Sequence, residues 1–489
     1  MTTYKPSQYQ QNVFNFINNN RGSAVIQAVA GSGKTTTIVT ALQSIPADKK
    51  VLMLAFNKSI AEELTARVPK HVRVKTYHSC AFGAYRFQMK FVKVDANKLT
   101  KIIKDVLPED KNQYFGLIKR LVALAKSHAI GYLMGDTRQD WIDLADKFDL
   151  FNTKLDSDFD VNELLHYCKL VYAENNKLKK IVDFDDMVLF PLIFNTNFFK
   201  QDYIFVDEAQ DTSSVQRELL KRMLKRNGRL IAVGDSAQAI YGFRGADSNS
   251  MQAIVNEFNA TEMPLSICYR CSQSVITEAQ KWHPKILPFS QSPSGSVVRL
   301  SQYEQSNFKS TDAIICRNTA PIITMAFSLI SKDIPVNVLG RDIGKGLVSY
   351  IKSMRCDKIS DLLSEIERDY MKSIANLDKD DDAAKIERLS DRKSVVQIFA
   401  KNCIDEEVDT LCVLIENFFG DDDNDNITLC TAHKSKGLEW DRVFILDEHL
   451  FMPKWVRKDW AIQQEKNIVY VAITRAKRDL FYINSGCWK

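Results

Sequence analysis

The residues best suited to do chemistry begin at Ala28 and run to Thr35, as Ala-Val-Ala-Gly-Ser-Gly-Lys-Thr. A short apolar run, Ala24 to Ile26, precedes them, and a helix-like run, Thr36 to Leu42, follows. A strand, a glycine-bearing turn and a helix N-terminus in succession make an anion site. Backbone N–H groups point into the turn, and the helix dipole favours negative charge. Ala30, Gly31, Ser32, Gly33 and Thr36 supply the cradle, Lys34 a cation for β- and γ-phosphates, and Thr35 a hydroxyl able to hold Mg²⁺. Ala28 stands where the generic phosphate-loop pattern has Gly. The competing role is a plain strand-to-helix turn.

Phosphate chemistry needs further groups, and the chain offers them at strand ends. Asp207-Glu208 follows the apolar run Tyr203 to Val206. Asp207 is placed to hold Mg²⁺ beside Thr35, and Glu208 to orient or deprotonate an attacking water. Arg229 to Val233 leads into Gly234-Asp235-Ser236-Ala237-Gln238, and Gln238 can bond phosphate or water. Charge developing on a γ-phosphate calls for arginines. Arg270, in Cys268-Tyr269-Arg270, and Arg475, in Ile473-Thr474-Arg475-Ala476, stand in suggestive contexts, but residue chemistry alone does not pick either from the many arginines present. Surface ion pairing is the competing role for both.

The positioning elements follow from apolar patterning. Gln8 to Asn20 has helical spacing, with Val13, Phe14, Phe16 and Ile17. Short apolar runs at Val51–Ala55 and Val72–Lys75 alternate with helix-like segments, as a parallel sheet requires. Thr261–Leu265 ends this first alternation. A second comprises Val297–Leu300, Ala313–Cys316, Ile427–Thr431, Val443–Leu446 and Leu480–Ile483. Each alternation is interrupted by a mainly helical segment, residues 88–180 and 343–424. Residues 86–126 carry ten Lys/Arg against four Asp/Glu, whereas residues 136–163 carry three against nine. The first insertion is therefore expected to show one basic and one acidic face. A DNA-contacting surface and an ordinary solvated face are equal alternatives for the basic half.

Composition sets the outer bounds. The 489 residues exceed one ordinary core, and the net charge of +5 is too small to declare a nucleic-acid binder by itself. Ten scattered cysteines and no signal-peptide pattern predict reduced thiols in a cytoplasmic setting. No run approaches a membrane span. Cys268 and Cys271 lack the second pair that a zinc site needs. The acidic clusters Asp380–Asp382 and Asp421–Asp423 read as solvated loops.

The ordered motif set resembles a superfamily 1 helicase of the UvrD/Rep/PcrA type. The pieces are Gln10, Ala-Gly-Ser-Gly-Lys-Thr at 30–35, Ala55-Phe56-Asn57-Lys58, Thr76-Tyr77-His78-Ser79 and Asp-Glu-Ala-Gln-Asp at 207–211. Gly-Asp-x-x-Gln-x-Ile-Tyr-Gly-Phe-Arg-Gly-Ala follows at 234–246, then Tyr269-Arg270, the run Thr431 to Trp440, and Val469 to Ala476. Phe56-Asn57-Lys58-Ser59 is also similar to the F-box DNA helicase branch, although no F-box region is present.

The resemblance implies an α/β fold of two RecA-like parallel-sheet domains, 1–87 with 181–266 and 267–342 with 425–489, each carrying its helical insertion. It implies ATP and Mg²⁺ as cofactors, with ATP in a cleft between the sheet domains. Gln10 would read the adenine edge, Tyr269 stack on its face, Glu439 contact ribose or phosphate, and Arg270 and Arg475 reach the phosphates. Gln238 would couple nucleotide state to the DNA track. Phe56, Tyr241 and Phe243 would stack on bases. Arg244, Asn57, Thr76, His78 and His433 would contact phosphate, sugar or base. Core packing is the competing role for Phe56 and Tyr241.

The expected function is an ATP-dependent DNA helicase moving 3′→5′ on single-stranded DNA, in replication, repair or recombination. The expected partners are single strands and single–double-strand junctions, with replication or recombination proteins as further possibilities. A monomer is expected, and no membrane. The shorter second insertion and the 14 residues beyond Arg475 argue against carrying over the large members' duplex-binding insertion and long C-terminal tail. A translocase that displaces proteins with little unwinding is one alternative. A non-motor DNA-binding assembly protein is the other.

Overall fold

The computed structural model describes residues 5–486 apart from 149, 151–159, 241–248, 304–306, 376, 378–382, 421–425, 455 and 457. Contacts divide the described residues into two compact units that meet in sequence between Ser266 and Ile267. Each unit is built on one large parallel sheet, so the fold is α/β with two RecA-like sheets.

The first unit has six strands in the order Val72–Thr76, Val51–Ala55, Gln201–Val206, Leu224–Gly234, Ala24–Ala28 and Thr261–Leu265. Every neighbouring pair is parallel. Central strands buried on both faces need continuous apolar runs, and Val51–Ala55 is buried throughout. Pro264 cannot donate to a ladder, and its strand lies at the sheet edge, paired with Ala24–Ala28. Alternate side chains face opposite ways. Ala24, Ile26 and Ala28 pack with Val13, Ile17, Ile38 and Leu42 of the helices Gln8–Asn19 and Lys34–Leu42. Val25, Leu52, Leu54, Ile204 and Val206 face the other way, into a core shared with Trp141, Tyr114 and Leu164 of the first insertion. That insertion thus has no core separate from its sheet.

The helix Gln8–Asn19 is fixed at both ends. Ser7 and Gln10 form a reciprocal capping box at its start. Arg229, buried at the start of the apolar part of its strand, donates to the carbonyls of Phe16, Ile17 and Gly22 at its end. A cation there also complements the helix dipole.

The basic half of the insertion departs from expectation. Lys98 and Lys126 are buried, and Lys98 Nζ lies 2.7 Å from Asp186 Oδ2. Lys126 Nζ lies 2.9 Å from Asp186 Oδ1 and 2.5 Å from Asp183 Oδ2. Lys111 pairs with Glu163 at 2.6 Å, joining the basic and acidic stretches to each other. Several cations of this half therefore serve internal pairing, where losing one partner strands a buried charge.

The second unit has seven parallel strands in the order Ser296–Arg299, Ala476–Ile483, Trp440–Leu446, Ala313–Cys316, Ile427–Thr431, Val336–Leu339 and Phe419–Gly420. Ile314, Cys316, Leu429 and Phe444 pack against the helices Thr319–Ile330, Ile359–Ile374 and Val408–Phe418. Val336–Leu339 and Phe419–Gly420 are strands that apolar patterning does not reveal. The first is interrupted by Asn337, and the second is two residues long. No helix among the described residues is long and apolar enough to cross a membrane.

Candidate nucleotide site and nucleic-acid contacts

In a parallel sheet the carboxyl ends of all strands share one edge, where ligands of open α/β sheets gather. In the first unit that edge collects the loops after Ala28, Ala55, Thr76, Val206 and Gly234. The stretch 29–33 turns through two left-handed glycines, Gly31 at φ 63° and Gly33 at φ 75°. A side chain at either position would be strained. The helix Lys34–Leu42 then starts at Gly33 with no side-chain cap, leaving its N-terminal N–H groups open to an anion. Ser32 is buried, and its Oγ has no hydrogen-bond partner. An orphaned hydroxyl inside a loop of this shape suits a phosphate oxygen.

The acidic residues arrive from the neighbouring strand end. Lys34 Nζ lies 3.0 Å from Glu208 Oε1 and 3.1 Å from Oε2. Thr35 Oγ1 donates to Asp207 Oδ2 at 3.3 Å. Glu208 sits in the left-handed region at φ 52°. Its backbone N–H donates to Asp207 Oδ1 at 2.9 Å. Burial and then the Glu208 charge push the Asp207 carboxyl up to about 6, against the pull of Lys34. Burial depresses the Lys34 ammonium, but Glu208, Asp235 and Asp207 outweigh it and hold the ammonium above its ordinary value.

Gln210 connects these groups, and its residue type alone does not mark it out in the sequence. Its Nε2 donates to Glu208 Oε2 at 2.5 Å, and its Oε1 accepts from Asp235 N–H at 3.0 Å. A Cβ on Gly234 would lie 2.5 Å from that Oε1, so glycine lets the amide pass. Gln238 is buried and donates to Asp235 Oδ2 at 2.8 Å. Glu208, Gln210, Asp235 and Gln238 thus form one hydrogen-bonded chain. The signal for Gln210 lies in the motif at 207–211, where it is the one uncharged polar residue.

Gln10 is buried, accepts from Ser7 N–H, and donates to Thr37 Oγ1 at 3.1 Å. It lies beside the phosphate loop, where a Cβ on Gly33 would be 3.5 Å from its Nε2. Thr35 and Asp207 suit a Mg²⁺ that keeps waters and takes phosphate oxygens, because such an ion needs only one or two protein ligands. Among the described residues no group of three His, Cys, Asp or Glu side chains could hold a metal.

Four residues expected at DNA, Phe56, Asn57, Thr76 and His78, share this edge. Phe56 is 44% exposed. Asn57 Oδ1 accepts from Ile60 N–H and caps the helix Lys58–Arg67; Thr76 Oγ1 accepts from Ser79 N–H and caps Tyr77–Met89. Ala55 pairs with Thr76 across adjacent strands, which brings the two caps to neighbouring positions. His78 is half-buried, and burial lowers its pKa, favouring a neutral imidazole. Tyr241, Phe243 and Arg244 lie outside the described residues.

In the second unit, Arg270 pairs through Nε with Glu439 and donates from Nη1 to Thr474 O at 3.4 Å. Arg475 is 1% exposed and donates to the carbonyls of Val471 and Leu438. Tyr269 is 37% exposed, its ring 5.1 Å from that of Phe289. His433 is half-buried in the turn after Ile427–Thr431. Arg270, Glu439 and Arg475 are therefore neighbours through the Thr474 turn. Cys268 and Cys271 are both buried, and their mutual hydrogen bond holds the Cys268 thiol at about 7.

A strand, a left-handed glycine turn, an uncapped helix start and an acidic pair at the next strand end define a phosphate-loop nucleotide-binding fold. The comparisons narrow that class. Residues 9–259 match the UvrD/REP helicase N-terminal domain, and residues 349–485 match the UvrD-like helicase C-terminal domain. The chain belongs to the UvrD/REP helicase family. It is 28% identical to F-box DNA helicase protein 1 of Schizosaccharomyces pombe over 93% of its own length and 55% of that protein's, so it spans about half of that relative. It is 24% identical to a probable DNA helicase II homologue of Mycoplasma genitalium, covering 94% of this chain and 82% of the relative. It is 23% identical to the ATP-dependent DNA helicase Rep of Buchnera aphidicola, covering 96% and 93%.

Proposed function

We propose that the chain hydrolyses ATP with Mg²⁺ to move 3′→5′ along single-stranded DNA and unwind duplex ahead of it. The observation that carries this is the linked set Lys34, Thr35, Asp207, Glu208, Gln210 and Gln238 at the carboxyl edge of one sheet. Lys34 and the N-terminal N–H groups of the helix Lys34–Leu42 take the phosphates. Thr35 and Asp207 hold Mg²⁺, which supplies charge neutralisation at the phosphates when bound. Glu208 orients the attacking water. Arg270 and Arg475 stabilise the γ-phosphate charge, Tyr269 and Gln10 hold the base, and Glu439 contacts ribose or phosphate.

The chain Glu208–Gln210–Asp235–Gln238 supports coupling of nucleotide state to DNA. Gln238 leads directly into the segment of Tyr241, Phe243 and Arg244, which are assigned to the track. Phe56, Asn57, Thr76 and His78 extend the track across neighbouring strand ends, and His433 serves it from the second unit. Stacking tolerates any base, which a motor must do. The domain bounds 1–87 with 181–266, 88–180, 267–342 with 425–489, and 343–424 belong to the same proposal. So do the monomeric state, a cytoplasmic location, and action with replication or recombination proteins.

The 3′→5′ direction rests on likeness to the relatives' branch. DNA-stimulated ATP hydrolysis is the first test. Stimulation by single strands, abolished in Lys34→Ala, is expected; turnover indifferent to DNA would overturn the assignment. Comparing strand separation with displacement of streptavidin from single-stranded DNA distinguishes unwinding from bare translocation.

A further inference from the structure

The opposite edge of the first sheet, where its strands begin, carries a row of cations. In sheet order, Lys70 precedes Val72–Thr76, Lys49 and Lys50 precede Val51–Ala55, and Lys200 precedes Gln201–Val206. Lys225 and Arg226 lie near the start of Leu224–Gly234, and Arg21 precedes Ala24–Ala28. All are exposed except half-buried Lys49. Five neighbouring strands at ~4.8 Å spacing make this row about 19 Å long. It lies a strand's length, roughly 17 Å, from the phosphate loop.

The row is shaped, not only charged. Gln201 faces Leu224 and Tyr203 faces Arg229, so Asp202 alone opposes Lys225 to Gly228. That bulge turns Lys225, Arg226 and Asn227 out to solvent. Gly228 permits it, because a Cβ there would lie 2.8 Å from Gln201 O. Beneath the bulge is a hollow of about 690 Å³, lined by Ser23, Lys200, Lys221, Lys225, Arg226 and Phe258. Phe199, next to Lys200, is 71% exposed.

Its carboxylates do not balance it. Asp202 takes Lys225 at 2.7 Å, Asp48 takes Lys49 at 3.0 Å, and Glu257 takes Lys221 at 2.9 Å. Among the described residues no carboxylate lies within ion-pair distance of Arg21, Lys50, Lys70, Lys200 or Arg226. Of these, Lys200 Nζ donates to the Arg222 carbonyl at 2.6 Å, which holds the ammonium without neutralising it.

We propose that this edge is a second nucleic-acid surface, gripping a phosphodiester backbone away from the motor track. Exposed lysines and arginines in a line, without an array of fixed base-reading donors, recognise phosphate whatever the sequence. Phe199 offers a stacking face beside them. The row spans about five to six phosphate steps of one duplex strand. This extension rests on the reading of the chain as a DNA motor, and its test keeps the two apart.

The test uses the full chain with Lys200→Glu and Arg226→Glu combined. Binding is measured by anisotropy across a salt series with a short oligonucleotide, a long single strand and a long duplex. Oligonucleotide-stimulated ATPase of the unaltered protein reports separately on the motor. The proposal expects the variant to keep that short-oligonucleotide ATPase and to bind one or both long DNAs ~10-fold more weakly. Its salt slope should fall by about two, and Lys200→Arg with Arg226→Lys should behave as the unaltered protein. Whichever long arm responds identifies the strand held. Unchanged affinity and slope in both long arms would overturn the proposal, as would an equal loss in the short arm.

Discussion

Lys34 and Glu208 hold each other across two strand ends, ammonium to carboxylate at 3.0 Å. On the proposed function, an incoming phosphate would compete with Glu208 for Lys34. Its arrival would then leave the carboxylate to take a water, linking binding to activation through one ion pair.

That competition makes the two single substitutions diverge. Glu208→Gln should bind ATP more tightly, by about 1 kcal/mol or roughly five-fold, while turnover falls at least ~100-fold. Lys34→Ala should lose both affinity and turnover. Equilibrium nucleotide binding and steady-state ATPase check this; weaker ATP binding by Glu208→Gln would contradict it.

The Asp207 carboxyl, pushed up to about 6, predicts a pH signature. Its folded value lies above the unfolded one, so the protonated form is favoured by folding. That stabilisation is complete below about pH 4 and is lost as pH rises through 6. Asp207→Asn should therefore raise the stability of the nucleotide-free protein by ~2 kcal/mol at pH 8 and by little at pH 4. With Asp207 holding Mg²⁺ as proposed, protons and Mg²⁺ would compete for the carboxylate in the unaltered protein. The Mg²⁺ concentration for half-maximal ATPase should rise as pH falls below 6. Denaturant melts and Mg²⁺ titrations at the two ends of this range check both.

Gln210 bears on Glu208 and Asp235 without a charge of its own. Gln210→Ala should lower kcat about 10-fold with KM for ATP nearly unchanged, because it loosens the water-orienting carboxylate and leaves Lys34 in place. A KM effect with unchanged kcat would argue that the amide touches nucleotide instead.

Phe56 is exposed beside the Asn57 cap. Phe56→Ala should weaken single-strand binding by about 1–3 kcal/mol, as loss of one stacked base does, with folding stability changed by less than ~0.5 kcal/mol. Fluorescence titration and thermal melts distinguish this from core packing, which would lower stability first.

Much of this fold is legible in sequence, because parallel strands buried on both faces need unbroken apolar runs. Val51–Ala55 and Ala313–Cys316 emerge at once. Val336–Leu339 does not, since Asn337 interrupts it and its pairing with Ile427–Thr431 is distant in sequence. The phosphate loop is legible because glycine is required where φ is positive, at Gly31 and Gly33. The capping roles of Asn57 and Thr76 are local and follow from residue type. The burial of Lys98 and Lys126 is not legible. Their partners Asp183 and Asp186 lie more than 50 residues away, and local charge counting assigns both lysines to a basic surface.

Strand separation of a tailed duplex tests the central claim most directly. With ATP and Mg²⁺, the unaltered protein should open a duplex bearing a 3′ single-stranded tail, fail on the 5′-tailed counterpart, and lose activity in Lys34→Ala. Opening of the 5′-tailed duplex alone would contradict the direction. ATP-independent opening, or equal activity in Lys34→Ala, would contradict the assignment of the Ala28–Thr35 loop as the site that drives it.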